Sequence, residues 1–135
     1  MESIEQKRRI RKVLMVDDEP DIRHVGQMSL ELVGNLEVLL ASSGDEALVL
    51  AAREAPDVIL LDVMMPRLDG PATLERLRAS TATASIPVIL MTARAQPRDV
   101  ERYLAGGAAG VIVKPFDPMT LPHEIHRIAG VELAP

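Results

Sequence analysis

The sequence predicts an α/β sandwich in which one parallel five-stranded sheet lies between two layers of helices. Three observations predict it. Five short apolar runs recur along the chain, each rich in valine, isoleucine or leucine and too short to be a helix. Four of the five are free of charge, as parallel strands covered on both faces are. The segments between them carry apolar residues at helical spacing, and such alternation requires right-handed crossovers that cover both faces of the sheet.

The first run, Val13–Val16, leads into "DDEPD", where Pro20 suits a first helical position. Ile22, Val25, Leu32 and Val33 lie near one stripe of the first helix, which Gly34-Asn35 breaks. The second run, Leu36–Leu40, contains Glu37, and that charge places it at a sheet edge. Ala47, Leu48 and Ala51 mark the second helix. Val58–Leu61 is the third run, and Leu74 and Leu77 mark the helix after it. The small, polar loop from Ala79 to Pro87 is expected to be mobile without dividing the domain. Val88–Met91 and Val111–Val113 are the last two runs, with Val100 and Leu104 on the helix between them. Leu121, Ile125 and Ile128 mark the final helix, closed by Gly130. Pro122 would clash inside a helix, so regular helix is expected from about Leu121, with "FDPMT" as a turn.

With the edge strand second in sequence, the strand order is expected to be 2-1-3-4-5. That order makes the domain a (βα)5 flavodoxin-like three-layer sandwich. Residues 1–11 read as a basic N-terminal extension, 12–130 as the domain and 131–135 as a short tail. No output domain is expected within this length.

Composition narrows the function. A chain of 135 residues with 47% hydrophobic and 26% charged residues fits one ordinary globular domain. No apolar run approaches the ~18–20 residues that span a bilayer, so no membrane partner is expected. "MESIEQKRRIRK" lacks the apolar segment of a secretory signal, which makes a cytoplasmic location the expectation. The absence of cysteine excludes disulfides, thiolate metal sites and thiol catalysis. A net charge of −5, one tyrosine and one phenylalanine argue against nucleic acid as a direct partner. The basic group Lys7, Arg8, Arg9, Arg11 and Lys12 reads as a solvated end rather than a phosphate-binding arm.

In open parallel sheets, ligands bind beyond the carboxyl ends of the strands. The residues there are Asp17 and Asp18 after the first run, Asp62 after the third, Thr92 after the fourth and Lys114 after the fifth. Three carboxylates at close range are costly unless a cation sits among them, and a hard divalent ion such as Mg2+ prefers oxygen ligands. Lysine and threonine supply a point charge and a hydroxyl suited to phosphoryl oxygens. A carboxylate can itself accept a phosphoryl group, and Asp62, on a central strand, is the candidate. The competing reading makes Asp17 to Glu19 a helix cap and Thr92 an ordinary strand terminus. It does not explain why these residues coincide with Asp62.

"VLMVDDEPDIR", "PDVILLDVMMPRLDG", "IPVILMTAR" and "GAAGVIVKPFD" together resemble the receiver domain of two-component response regulators, over roughly Lys12 to Gly130. The resemblance implies a stand-alone receiver in which Asp62 takes a phosphoryl group from a histidine kinase or histidine phosphotransferase. It also implies that Asp18 binds Mg2+ directly, that Asp17 acts mainly through water, and that the Met64 backbone carbonyl is a further ligand. Thr92 and Lys114 would contact the phosphoryl oxygens, with a cis Lys114-Pro115 bond and Phe116 anchoring the turn. Signalling would pass to a protein partner, with the fourth helix, fifth strand and fifth helix as its surface. Such a protein catalyses only its own phosphorylation and dephosphorylation, with Met64 and Arg94 expected to tune the latter. Val111 stands where many receivers carry an aromatic residue coupled to the threonine. The alternative class is a small phosphohydrolase or phosphotransferase working through an aspartyl-phosphate, but "DVMMP" offers no second carboxylate as acid/base. His24, His123 and His126 read as surface residues.

Overall fold

A computed structural model describes residues 9–130. Residues 1–8 of the expected basic extension and the expected tail, 131–135, lie outside the described residues. The elements run β1 (Lys12–Val16), α1 (Pro20–Met28), a π-helical turn (Ser29–Val33), β2 (Glu37–Ala41), α2 (Gly44–Glu54) and β3 (Val58–Asp62). They continue with α3 (Gly70–Ala79), β4 (Val88–Thr92), α4 (Pro97–Ala105), β5 (Gly110–Val113) and α5 (Leu121–Ala129). The strands form one parallel sheet in the order β2-β1-β3-β4-β5, as expected. Glu37 is the exposed first residue of the edge strand β2. No helix among the described residues is long and apolar enough to cross a membrane.

Side chains alternate across each strand, so the sheet feeds two cores. Leu14, Val16, Ile59, Leu61, Val88 and Leu90 pack with Ala47, Ala51, Leu74, Leu77 and Tyr103 of α2, α3 and α4. Val13, Met15, Val58, Leu60, Ile89 and Met91 face Leu30, Leu121 and Ile125 on the opposite side. β3 and β4 are buried along their whole length, and this rigid centre holds the acidic edge above it.

Three local expectations are corrected. In the first helix only Ile22 of the expected stripe is partly covered; Val25, Leu32 and Val33 are exposed, Leu32 by 76%. The buried face is instead Gly26, Ser29 and Leu30. Gly26 brings the helix close to the sheet, where a Cβ would meet the end of the Met15 side chain, so the contact face is small rather than apolar. The π turn then widens the helix, with Gly34 N donating to Ser29 O, and swings Leu32 and Val33 to solvent. On α4, Tyr103 rather than Leu104 enters the core, one residue around the helix from the expected position. The Ala79–Pro87 loop is tied down: Arg78 donates to the carbonyls of Ala84 and Ile86, and the buried Thr83 hydroxyl donates to Leu77 O at 2.7 Å.

Candidate functional site

Asp17 is fixed from three directions as the chain leaves β1. Its N–H donates to Ala41 O at 3.1 Å, its Oδ1 accepts from Glu19 N at 2.9 Å, and Arg23 Nη1 donates to its carbonyl at 2.8 Å. The carboxylate is wholly buried. Glu19, at the N-cap of α1, makes no side-chain capping bond and is exposed, so helix capping does not account for the acids.

Asp62 ends β3 and is 4% exposed. The loop after it folds back tightly: Gly70 N donates to Val63 O at 2.9 Å, and a Cβ at Gly70 would press on the Asp62 carbonyl. Asp69 caps α3 by accepting from Ala72 N at 2.9 Å. Lys114 follows β5, where its N–H donates to Thr92 O at 2.9 Å, and the Lys114-Pro115 bond is cis. Its Nζ donates to Asp17 Oδ2 at 3.0 Å and to Asp62 Oδ1 at 3.1 Å, and lies 3.9 Å from Glu19. Asp17, Asp18 and Asp62 each offer a carboxylate oxygen within 4.8 Å of the others.

Five strand-end residues expected to converge were Asp17, Asp18, Asp62, Thr92 and Lys114, and four of them meet. Thr92 is buried, but its hydroxyl donates to Arg94 O at 3.1 Å and accepts from Arg94 N at 3.0 Å, committing it to the β4–α4 loop. Met64 is exposed and lines the cleft with Asp18, Ile22, Ala93, Lys114 and Pro115. Ala93 leaves the entrance open. Phe116 packs partly buried on the α1/α5 core. His24, His123 and His126 are all exposed, and none joins a metal-ligating cluster among the described residues.

Burial withholds water from the Asp62 carboxylate and Asp17 repels it, so its pKa is pushed up to about 6 even though Lys114 pulls the other way. Burial works against the Lys114 ammonium, but its bonds to Asp17 and Asp62 outweigh that and hold its pKa above the ordinary lysine value. Three hard oxygen donors facing one ammonium leave excess negative charge, and that donor set fits a small hard divalent cation.

Sequence reasoning missed Arg23, Ser29 and the close approach of Gly70 to Asp62. Each acts through a backbone carbonyl or through the absence of a side chain, which hydropathy and charge patterns do not register.

Fold and site together define the class of two-component receiver domains. Residues 13–126 match the family described as the response regulator receiver domain, and the chain belongs to that family. It is 39% identical over 117 residues, 87% of this chain and 46% of the relative, to the probable transcriptional regulator ycf27 of Porphyra purpurea. It is 38% identical over 106 residues, 78% of this chain and 44% of the relative, to the DNA-binding dual master transcriptional regulator RpaA of Synechocystis sp.. The chain thus spans about half the length of the curated relatives it matches. Among solved structures it is similar to the chemotaxis response regulator CheY4 of Vibrio cholerae, with a TM-score of 0.82 at 34% identity, covering 89% of this chain and 99% of that one. It is also similar to the receiver domain of Francisella response regulator 1452, with a TM-score of 0.79 at 31% identity, covering 88% and 96%.

Proposed function

We propose that this receiver accepts a phosphoryl group on Asp62 from a histidine kinase or histidine phosphotransferase and signals to a protein partner. One observation carries the reading: Lys114 Nζ bridges Asp17 and Asp62 while Asp18 stands within ligand reach of both. Asp17, Asp18, Asp62 and the Met64 carbonyl would hold Mg2+, which when bound supplies charge neutralisation for an incoming phosphoryl group. A carboxylate oxygen of Asp62 forms the new P–O bond as the phosphohistidine P–N bond breaks, and the departing imidazole keeps the electron pair. Lys114 is already placed to meet the charge gathering on the phosphoryl oxygens, and Thr92 reaches them once its hydroxyl leaves Arg94.

The protein works on itself and turns over no separate metabolite. Met64 and Arg94, both exposed on loops that leave the site, tune how long the acyl phosphate lasts. The downstream partner binds α4, β5 and α5, and the setting is cytoplasmic. The curated relatives are named as transcriptional regulators, so the expectation of no direct nucleic-acid contact is confined to the receiver fold itself. The rival phosphohydrolase reading lacks an acid/base group in the three residues directly after Asp62, where Val63 and Met65 are buried and Met64 is apolar, and Asp69 at the end of the loop is engaged in capping α3.

Incubation with Mg2+ and acetyl phosphate, followed by intact mass, tests the proposal. A single labile adduct of one phosphoryl group, absent from Asp62→Asn, is expected. Sustained hydrolysis of several phosphoesters without an adduct would favour the rival.

A further inference from the structure

The ammonium that bridges Asp17 and Asp62 sits on the first residue of a turn, so whatever holds that turn aims it. Residues 115–120 are stapled mostly to themselves. Asp117 Oδ1 accepts from Met119 N at 2.9 Å, and its carbonyl accepts from Thr120 N at 3.0 Å and Leu121 N at 2.9 Å. Among the described residues, one hydrogen bond ties this turn to a distant element. The Ser29 hydroxyl donates to the carbonyl of Pro118, 89 positions along the chain.

Ser29 is 3% exposed and opens the π turn after α1, next to the core residue Leu30. A hydroxyl in such surroundings is unfavourable unless bonded, whereas alanine would fill nearly the same space at no polar cost. The packing presses the same elements together. A Cβ at Gly26 would lie 3.7 Å from the Phe116 ring, and Gly34 sits against Pro122 at the start of α5. Pro115 and Pro118 stiffen the backbone between Lys114 and the anchored carbonyl, so fixing one end restrains the other.

We infer that Ser29 is a positioning residue for Lys114, holding the turn that carries the bridging ammonium through its bond to Pro118. The inference rests on the reading of Asp62 as the acceptor. None of the three carboxylates touches Ser29, so its loss should slow phosphorylation while leaving metal binding intact.

The test compares the full chain with Ser29→Ala and Ser29→Thr. It measures the rate of labelling by acetyl phosphate at saturating Mg2+, Mg2+ affinity by titration, and amide hydrogen exchange of residues 116–121 against the strands. Ser29→Ala is expected to label about 2- to 10-fold more slowly, the worth of one buried hydrogen bond. Its Mg2+ affinity should stay within about twofold, with faster exchange in the turn and unchanged strand protection. Ser29→Thr, which keeps the hydroxyl, should recover most of the rate. Wild-type labelling by Ser29→Ala overturns the inference, as does a joint fall of rate, metal affinity and strand protection. Should the parent chain take no phosphoryl group, the acceptor reading fails by itself. Exchange then decides the tether, and unchanged protection of the turn in Ser29→Ala overturns it.

Discussion

Replacing Asp62 by asparagine should make the metal-free protein more stable, even though it removes an ionic contact. The reason lies in the carboxyl's proton affinity. In the unfolded chain Asp62 titrates at its ordinary 3.8; in the fold, burial and Asp17 raise that to about 6. A group whose folded pKa is raised contributes stability below the unfolded value and loses it as pH rises through the folded one. The shift corresponds to at most about 3 kcal/mol, of which about 1.4 kcal/mol is lost between about pH 5 and pH 7.5. Asparagine keeps the shape and an oxygen for Lys114 but carries no charge, so it escapes the loss. The assay is thermal or urea unfolding of both proteins in EDTA across that pH range. The variant should gain on the parent as pH rises, ending higher in Tm by roughly 4 °C for each kcal/mol gained. Saturating Mg2+ should then stabilise the parent far more than the variant. A variant that is less stable than the parent in EDTA near neutral pH, or a difference flat with pH, would refute the reasoning.

Four further perturbations have expected outcomes. Lys114→Met strands Asp17 and Asp62 without their shared cation, so unfolding in EDTA should show a loss of about 3 kcal/mol, partly restored by Mg2+. Its labelling by acetyl phosphate should slow by roughly 100-fold. Gly70→Ala drives a methyl group into the Asp62 carbonyl and should cost about 2 kcal/mol, read from urea midpoints. Mg2+ affinity, followed by titration calorimetry, should fall about tenfold per pH unit below about pH 6, where a proton competes for Asp62. Leu32→Glu with Met28→Glu, on the exposed apolar side of the first helix, should leave stability and acetyl phosphate labelling unchanged but slow transfer from a phosphohistidine protein.

The sheet and its acidic edge were legible in the sequence because both depend on residue type. Uncharged apolar runs report burial on two faces, and a carboxylate directly after such a run is set at the sheet's carboxyl end by strand geometry alone. Asp17, Asp62 and Lys114 therefore meet as expected. The helix faces were less legible, because close approach rewards small residues. Gly26 and Ser29 carry no hydrophobic signal, and a π turn breaks the 3.6-residue period on which the expected stripe of Ile22, Val25, Leu32 and Val33 rested. The loop from Ala79 to Pro87 looked loose by composition, whereas its order comes from Arg78, whose role rests on backbone carbonyls far from any motif.

On the proposed reading, the hydrogen bonds of Thr92 bear on how a phosphoryl group at Asp62 would reach the surface without an aromatic at Val111. Drawing the Thr92 hydroxyl to a phosphoryl oxygen breaks both of its bonds to Arg94 and frees the start of the β4–α4 loop. The helix beyond that loop is lightly held: Gln96 makes no side-chain cap, and Tyr103 is the only buried residue of α4. Arg78 Nη2 secures its far end through Gly107 O at 3.1 Å. A helix pinned at its C-terminal end and through one ring pivots when its N-terminal loop lets go. Val111, partly buried against the core that Tyr103 joins, does not have to turn over for that motion. NMR with a phosphoryl mimic should therefore show shifts that grow from Thr92 through Gln96 and Val100 and fade by Gly107; shifts confined to the cleft would count against a pivoting α4.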